Sequence, residues 1–269
     1  AGKGVIIAQN TKEAENALKQ YFIAKKFGDA GNKIIIEEFL EGQEISFMVV
    51  SNGHVTIPLT TSQDYKKRDD GECGPNTGGM GSTSPSPHIT PELEQQIMNS
   101  IIYPTINALK EKGILYTGVL YAGLMLTKDG PKVIEFNCRL GDPETQSILS
   151  RLDSDLFELC AATVTEHLFT INLKWKDEKA VTVMVASGGY PEKYTKGYAI
   201  TGLDETDVKL FHSGTTLKDN KIVTSGGRVI AATALGKTYK EAQEKAYQKI
   251  DTLSFKNMFY RTDIGLVGK

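Results

Sequence analysis

The sequence predicts an α+β protein with at least two packed units, and three observations carry that expectation. At 269 residues the chain exceeds the roughly 100 to 200 residues of a usual domain. Its β-branched runs lie close together across turn signals such as Lys128-Asp129-Gly130, where an Asp-Gly step favours a tight hairpin of antiparallel strands. Between them stand stretches with apolar residues at helical spacing and a cap at their start.

In chain order, residues 5–8 form a short β-branched run, and Thr11 can cap a helix whose Ala14, Ala17, Leu18, Phe22 and Ile23 share one apolar face. Residues 33–39 are rich in Ile and predict a strand. A second strand over residues 44–50 turns at Ser51-Asn52-Gly53 into residues 55–59. Residues 60–88 show no sustained period and hold five glycines between Gly71 and Gly81, so a long loop is expected, of the kind that is either functional or disordered. Thr90 followed by Pro91 is a cap with proline at the first helical position, and Leu93, Ile97, Ile101 and Ile102 continue the stripe. Residues 117–126 and 131–138 are the two strands of the Asp-Gly hairpin, apolar enough for a covered, central sheet. Residues 154–168 predict a helix with Leu156, Leu159, Cys160, Thr163 and Leu168 inward, and the charged stretch 172–179 around Trp175 a linker. Short strands at 180–186, 197–200, 208–211, 221–224 and 229–235 follow, and a helix over 239–253 closes the chain with Ala242, Ala246, Ile250 and Leu253 on one face.

Composition narrows the function classes. Hydrophobic residues at 40% and charged residues at 24% can build a sizeable core and argue against wholesale disorder. Lys and Arg number 31 against 33 Asp and Glu, so the net charge of -2 gives no global field for nucleic acid or an anionic membrane. The longest apolar stretch, residues 118–126, is far short of the ~20 residues that span a bilayer. Cys73, Cys138 and Cys160 form no Cys-x-x-Cys, which fits a reducing cytosol, and His54, His88, His167 and His212 are too scattered for a metal pair or an evident triad. Ala1-Gly2-Lys3-Gly4 has the look of the middle of a glycine turn, so a fragment or processed chain is expected.

The most informative segment runs from Val133 to Glu144. Alternation in a strand puts Glu135, Asn137 and Arg139 on one face and Ile134, Phe136 and Cys138 on the other, expected to be core. A carboxylate beside an amide carbonyl offers hard oxygens suited to Mg2+, and Arg139 can fork onto a phosphate. Gly141-Asp142-Pro143 breaks the strand and leaves Asp142 and Glu144 near the same edge. A solvated polar strand face explains the spacing equally well. Three weaker signals accompany it. Gly2-Lys3-Gly4 can bend amides over phosphates or be an ordinary turn, and residues 37–44 can hold a nucleoside or be a solvated acidic turn. The 75–81 loop, with Asp64, Lys66 and Arg68 nearby, can bring backbone close to a ligand or be mobile surface. Ser225-Gly226-Gly227-Arg228 is another candidate anion turn, though a hairpin with an exposed arginine explains it more simply.

Together these segments resemble the ATP-grasp superfamily and, more narrowly, the glycinamide ribonucleotide synthetase (phosphoribosylamine–glycine ligase) family. The carriers are Ala1-Gly2-Lys3-Gly4-Val5, Ile36-Glu37-Glu38-Phe39-Leu40, Thr61-Ser62-Gln63-Asp64, residues 74–81 and 116–124, Arg139-Leu140-Gly141-Asp142-Pro143-Glu144-Thr145, Gly188-Gly189-Tyr190-Pro191 and Ser225-Gly226-Gly227-Arg228, in the family's order. The resemblance implies an α+β ATP-grasp fold: a partial lid over residues 1–40, a catalytic core over 41–173 and a smaller C-terminal domain over 174–269. It implies a cytoplasmic enzyme of purine biosynthesis, monomer or dimer, that joins glycine to 5-phosphoribosylamine through a glycyl phosphate. ATP would be the co-substrate and Mg2+ or Mn2+ the metal, with no nucleic-acid or membrane partner. Carried over by position, Glu135 and Asn137 would hold the metal, and Lys3, Glu37, Glu38, Phe39, Leu40 and Glu44 the nucleotide. Asp64, Lys66, Gly78, Gly79, Met80, Arg139, Asp142 and Pro143 would meet the other substrates, with Arg139 and Asp142 catalytic. Two departures stand out. A further ATP lysine expected upstream is absent, and residues 120–124 carry no metal-binding acid. Another carboxylate–amine ligase or carboxylase of the superfamily, or an inactive nucleotide-binding fragment, is the alternative reading.

Overall fold

The computed structural model describes residues 4–204 and 206–266. The first helix, α1 (Thr11–Phe22), starts one residue earlier than Thr11 would set it, because the Asn10 side chain accepts from the Glu13 N–H at 3.0 Å. α1 buries none of its residues. The strands expected at 5–8 and 33–39 do not form, and Ile35 and Ile36 stand 84% and 86% exposed. A β-prone run becomes a strand only beside a partner that takes its backbone groups, and among the described residues neither run has one.

β1 (Gln43–Ser51) and β2 (Thr56–Pro58) follow, with Asn52 holding the turn by accepting the His54 and Val55 N–H groups. The expected long loop then contains four short strands, β3 (Gln63–Asp64), β4 (Lys67–Asp69), β5 (Cys73–Asn76) and β6 (Gly81–Ser84). A run of two to four residues has no measurable period, which is why the sequence hides them. α2 (Pro91–Ile97) is capped by Thr90 as expected and passes through a π turn, Met98–Ile102, into α3 (Tyr103–Glu111). The hairpin β7 (Gly118–Thr127) and β8 (Gly130–Asn137) is next, then α4 (Glu144–Arg151), which no apolar period announces, and α5 (Leu156–Val164), capped by Asp155. β9 (Lys179–Ser187), β10 (Lys209–His212), β11 (Thr215–Lys218), β12 (Lys221–Thr224), β13 (Arg228–Gly236), α6 (Tyr239–Ile250) and β14 (Met258–Phe259) complete the order.

One antiparallel sheet has the order β2-β1-β7-β8. Period-2 alternation gives β1 two buried faces: Ile45, Phe47 and Val49 pack with Ile97, Ile102 and Ile106 from the helices, while Met48 and Val50 pack with Ile148, Leu159 and Leu168. β7 is central, as expected. β8 is an edge, and the face of Ile134, Phe136 and Cys138 expected in the core is exposed among the described residues, because no further strand or helix covers it. The second sheet runs β10-β13-β9-β6-β3, with β14 also on β9, and α6 packs Ala242, Ala246 and Ile250 onto it. This sheet draws β3 and β6 from residues 63–84 and the rest from beyond residue 178.

The charged stretch 172–179 is pinned rather than loose: buried Arg151 donates to the carbonyls of Lys176 at 2.9 Å and Glu178 at 2.7 Å. In α5, Cys160 faces solvent while Leu159 and Thr163 are buried, so the inward stripe is narrower than expected. Among the described residues no helix is long and apolar enough to cross a membrane.

Candidate active site

The floor of the site is the end of β8. Glu135 pairs with Gly123 and Asn137 with Tyr121, but Val133 pairs with Leu124, so Ile134 is an extra residue in a bulge. The bulge re-aims the strand just before Glu135. Gly123 opposite leaves room there, since a Cβ on it would stand 3.3 Å from Glu135 Cγ. Asn137 Nδ2 donates to Glu135 Oε1 at 3.1 Å, and Arg139 Nη2 donates to Asn137 Oδ1 at 3.3 Å. Carboxylate, amide and guanidinium are thus linked in one row. Arg139 is further tied to the Leu140 carbonyl at 2.8 Å and keeps its outer face exposed.

Facing this row are Asp64 and Lys66, from the segment expected to be loop. Lys66 is paired with Glu44. Burial pulls its pKa down, but the Glu44 and Asp64 carboxylates outweigh that and hold it above the ordinary lysine value. Asp64 Oδ1 is buried without any hydrogen bond, and burial, then the nearby Glu144 carboxylate, pushes the Asp64 pKa well above the usual carboxylate range. Glu144 heads α4 and is 2% exposed. Its Oε1 accepts from Ser46 Oγ at 2.7 Å, and Ser46 Oγ is 2.9 Å from the Tyr121 hydroxyl. Burial first, and Glu144 second, push the Tyr121 phenol far above its ordinary value, so it stays protonated.

The glycine loop is held by contacts far along the chain. Arg228 Nη1 donates to the carbonyls of Gly78 at 2.6 Å and Asp142 at 2.9 Å, and Nη2 to Asp142 Oδ2 at 2.6 Å. The Gly78 N–H donates to the Tyr190 hydroxyl at 3.0 Å, and the Gly79 N–H to Thr77 Oγ1 at 3.0 Å. Gly79 has φ +109°, and a Cβ there would lie 2.4 Å from Pro143 Cδ and 2.6 Å from Asp64 Oδ1, so only glycine fits between the acid and the 142–143 turn.

One cleft therefore joins Asp64, Lys66, Gly78, Glu135, Asn137, Arg139 and Asp142 from the sequence-based set, with Thr77, Tyr121, Gly141 and Glu144 completing its wall. Met80 is fully buried, its N–H donating to the Tyr65 carbonyl and its carbonyl accepting from the Met184 N–H, so it supports the loop from beneath. Pro143 is also buried, its carbonyl accepting from Ser82 Oγ at 2.9 Å. Glu37, Glu38, Phe39 and Leu40 do not line the cleft, and Glu38 is engaged with Lys132 at 3.0 Å. Glu44 reaches the cleft through Lys66. Lys3 lies outside the described residues. Sequence reasoning gave no role to Ser46, Tyr121 or Tyr190 and favoured an exposed hairpin residue for Arg228, whereas Arg228 is largely buried; no local spacing signals contacts 150 residues apart.

Among the described residues no group of three or more His, Cys, Asp or Glu side chains forms a metal cage. What the cleft offers a cation is the Glu135 carboxylate and the Asn137 carbonyl oxygen. That donor set suits Mg2+, which keeps several waters and relies on substrate phosphates for the rest of its octahedron.

Residues 1–145 match the family model of the phosphoribosylglycinamide synthetase ATP-grasp (A) domain, and residues 180–267 that of the phosphoribosylglycinamide synthetase C domain. The phosphoribosylamine–glycine ligase of Vibrio parahaemolyticus serotype O3:K6 is 50% identical over 269 residues, which cover 98% of this chain and 63% of that protein. The chain thus spans about 63% of the length of this relative. The crystal structure of phosphoribosylamine–glycine ligase from Thermotoga maritima superposes with a TM-score of 0.85 at 36% identity, over 97% of this chain and 66% of that one. The biotin carboxylase domain of Hydrogenobacter thermophilus 2-oxoglutarate carboxylase, in complex with MgADP, ADP and bicarbonate, gives a TM-score of 0.71 at 13% identity over 96% of this chain and 56% of its own, a likeness of fold alone.

Proposed function

Since the chain belongs to the phosphoribosylglycinamide synthetase family and has its ATP-grasp fold, we propose that it carries the phosphoryl-transfer centre of an ATP-dependent carbon–nitrogen ligase. The reaction is the joining of glycine to 5-phosphoribosylamine, giving glycinamide ribonucleotide, ADP and phosphate in the cytosolic synthesis of purines. The observation that carries this reading is the single cleft in which two oxygen donors, two cations and an unpaired acid face one another beside a glycine loop.

Glu135 and Asn137 would hold the metal, Mg2+ or Mn2+, since both ions take carboxylate and carbonyl oxygens; the metal would supply charge neutralisation at the triphosphate. Lys66 and Arg139 offset charge on the phosphoryl group as it passes from ATP to the glycine carboxylate. Asp64, uncomfortable as an unpaired buried carboxylate, gains a partner when the ammonium of glycine enters beside Gly79, and its pKa then returns towards the ordinary range. Asp142, oriented by Arg228, faces the incoming amine of phosphoribosylamine. Glu144 and Tyr121 keep the wall in place through Ser46. No enzyme nucleophile is required, because the acyl phosphate is itself the activated species.

The test has two levels. In this chain, Glu135→Gln keeps volume and removes charge, and Mg2+-dependent binding of ATP is expected to weaken about tenfold or more. Unchanged binding by calorimetry would remove Glu135 from the metal site. In the full-length enzyme, phosphate release should require glycine and phosphoribosylamine together; equal turnover with another acid would point to a different ligase.

A further inference from the structure

The stretch 77–80 is rich in glycine, yet none of its amides is open to an anion. The N–H of Thr77 donates to the Lys66 carbonyl at 2.8 Å, that of Gly78 to the Tyr190 hydroxyl at 3.0 Å, that of Gly79 to Thr77 Oγ1 at 3.0 Å, and that of Met80 to the Tyr65 carbonyl at 2.8 Å. Arg228 Nη1 engages the carbonyls of Gly78 at 2.6 Å and Gly79 at 3.4 Å. A backbone nest binds anions through N–H groups that have no other acceptor, and here all four have one. An anion in the cleft is therefore met by side-chain cations, and what this stretch can give a substrate is a shaped wall.

Gly78 is the exceptional member. The other three N–H groups are accepted within residues 65–77, whereas the acceptor for Gly78 stands 112 positions later, in the segment Gly188-Gly189-Tyr190-Pro191. Its φ lies outside the left-handed region, so its backbone alone does not call for glycine. Its surroundings do: a Cβ would stand 3.1 Å from Arg228 Cζ and 3.3 Å from the Tyr190 hydroxyl, closer than side chains usually approach. Tyr190 has little freedom to adjust. Its carbonyl accepts from Arg68 Nε at 2.8 Å, its N–H donates to the Ser187 carbonyl at 3.1 Å, and its ring lies so near Gly227 that a Cβ there would be 2.3 Å from Cδ2. Arg68 Cζ is itself held 4.4 Å from the centre of the Phe259 ring. A rigid phenol thus fixes one peptide of the cleft wall.

We propose that Tyr190 is a positioning residue for the amino-acid substrate: its hydroxyl holds the Gly78–Gly79 backbone as the wall that leaves room for free glycine and none for a side chain. This deepens the ligase reading and rests on it, with the ammonium of glycine on Asp64. Gly79 stands between Asp64 Oδ1 and Pro143, so the carbon next to that ammonium lies against the same backbone. A peptide released by Tyr190 turns its N–H towards another acceptor, and even a sub-ångström shift there misplaces the carboxylate that must meet the γ-phosphoryl group in line. Tyr190 acts through Gly78 and is assigned no contact with the reacting atoms.

Tyr190→Phe deletes one oxygen and keeps the ring over Gly227. In the full-length enzyme it should raise the KM for free glycine about five- to tenfold, the effect of one lost hydrogen bond, leave the KM for ATP unchanged, and narrow the preference for glycine over alanine by a similar factor. In the 15N-labelled chain the Gly78 amide proton should move upfield while the amides of residues 135–139 stay in place. Gly78→Ala, which presses on the Tyr190 hydroxyl and on Arg228, should raise the glycine KM as well. An unchanged glycine KM in both variants, an equal rise in the glycine and ATP KM values, or an unmoved Gly78 amide in Tyr190→Phe would overturn the proposal, the second outcome being what a merely structural role produces. Wild-type turnover that does not need glycine would overturn the ligase reading and this proposal with it, whereas wild-type turnover on glycine with an unaltered Tyr190→Phe variant overturns this proposal alone.

Discussion

Two stretches of this chain are nearly the same on paper. Residues 33–39 read Lys-Ile-Ile-Ile-Glu-Glu-Phe and residues 132–136 read Lys-Val-Ile-Glu-Phe. The second is strand β8, hydrogen-bonded along β7, with Val133 and Ile134 at 38% and 37% exposure and its glutamate aimed into the cleft. The first is irregular, with Ile35 and Ile36 above 80% exposure. Composition set the propensity of both, and a neighbour decided which became structure. β7 can be that neighbour because β1 and two layers of side chains hold it from the other side.

That comparison can be broken from its support. Phe47 on β1 is fully buried between the sheet and the α2–α3 helices, beside β7, and Phe47→Ala should cost about 3–5 kcal/mol in urea unfolding, by lost transfer energy and the cavity left behind. If β8 survived unfolding conditions that melt β1 and β7 in that variant, its dependence on their support would be refuted.

Asp64 sharpens the same point for polar groups, since Glu38 is exposed and paired whereas Asp64 has one carboxylate oxygen, Oδ1, buried without a hydrogen bond. Its folded pKa lies above the unfolded value, so the native state binds the proton more tightly. Stability therefore falls as pH rises from near 4 through the folded pKa. Asp64→Asn should flatten that fall and be the more stable protein at neutral pH, by roughly 1–3 kcal/mol if relief of one buried unmet group is the whole effect. Parallel pH-dependent slopes for the two proteins would show that Asp64 does not titrate differently on folding. The smallest expected effect is at the other end of the comparison: Ile36→Ser should change stability by no more than about 0.5 kcal/mol, because an exposed side chain has little to lose.

The same logic marks what could be learned from sequence. The Asp-Gly hairpin, the Thr90 cap and the α6 stripe are local patterns, and they appear where their spacing puts them. The face of Glu135, Asn137 and Arg139 was legible because a strand needs only its own alternation to sort its sides. The strands within 60–88 were not, since two to four residues carry no period and β6 is held by β9 about a hundred residues on, and α4 was missed because its buried face includes Glu144, Ser147, Ser150 and Arg151 rather than an apolar stripe. Arg228 belongs to the same class, a residue whose role is defined by carbonyls on distant segments.

Arg261 gives this dependence on distance a temporal meaning. It is 1% exposed and donates to the Lys67 carbonyl at 3.0 Å and to Glu72 at 2.6 Å, while Asp263 accepts the Gly71 N–H at 2.8 Å. The bond between Arg261 and Lys67 spans 194 positions of the chain. A ribosome adding about 5–20 residues per second needs roughly 10–40 seconds to bridge that gap, so the loop above the cleft waits, unanchored, until Arg261 has been made. Nascent chains of this protein should hold the β1–β7–β8 sheet early and acquire a protease-resistant 67–76 loop only after residue 261 has emerged.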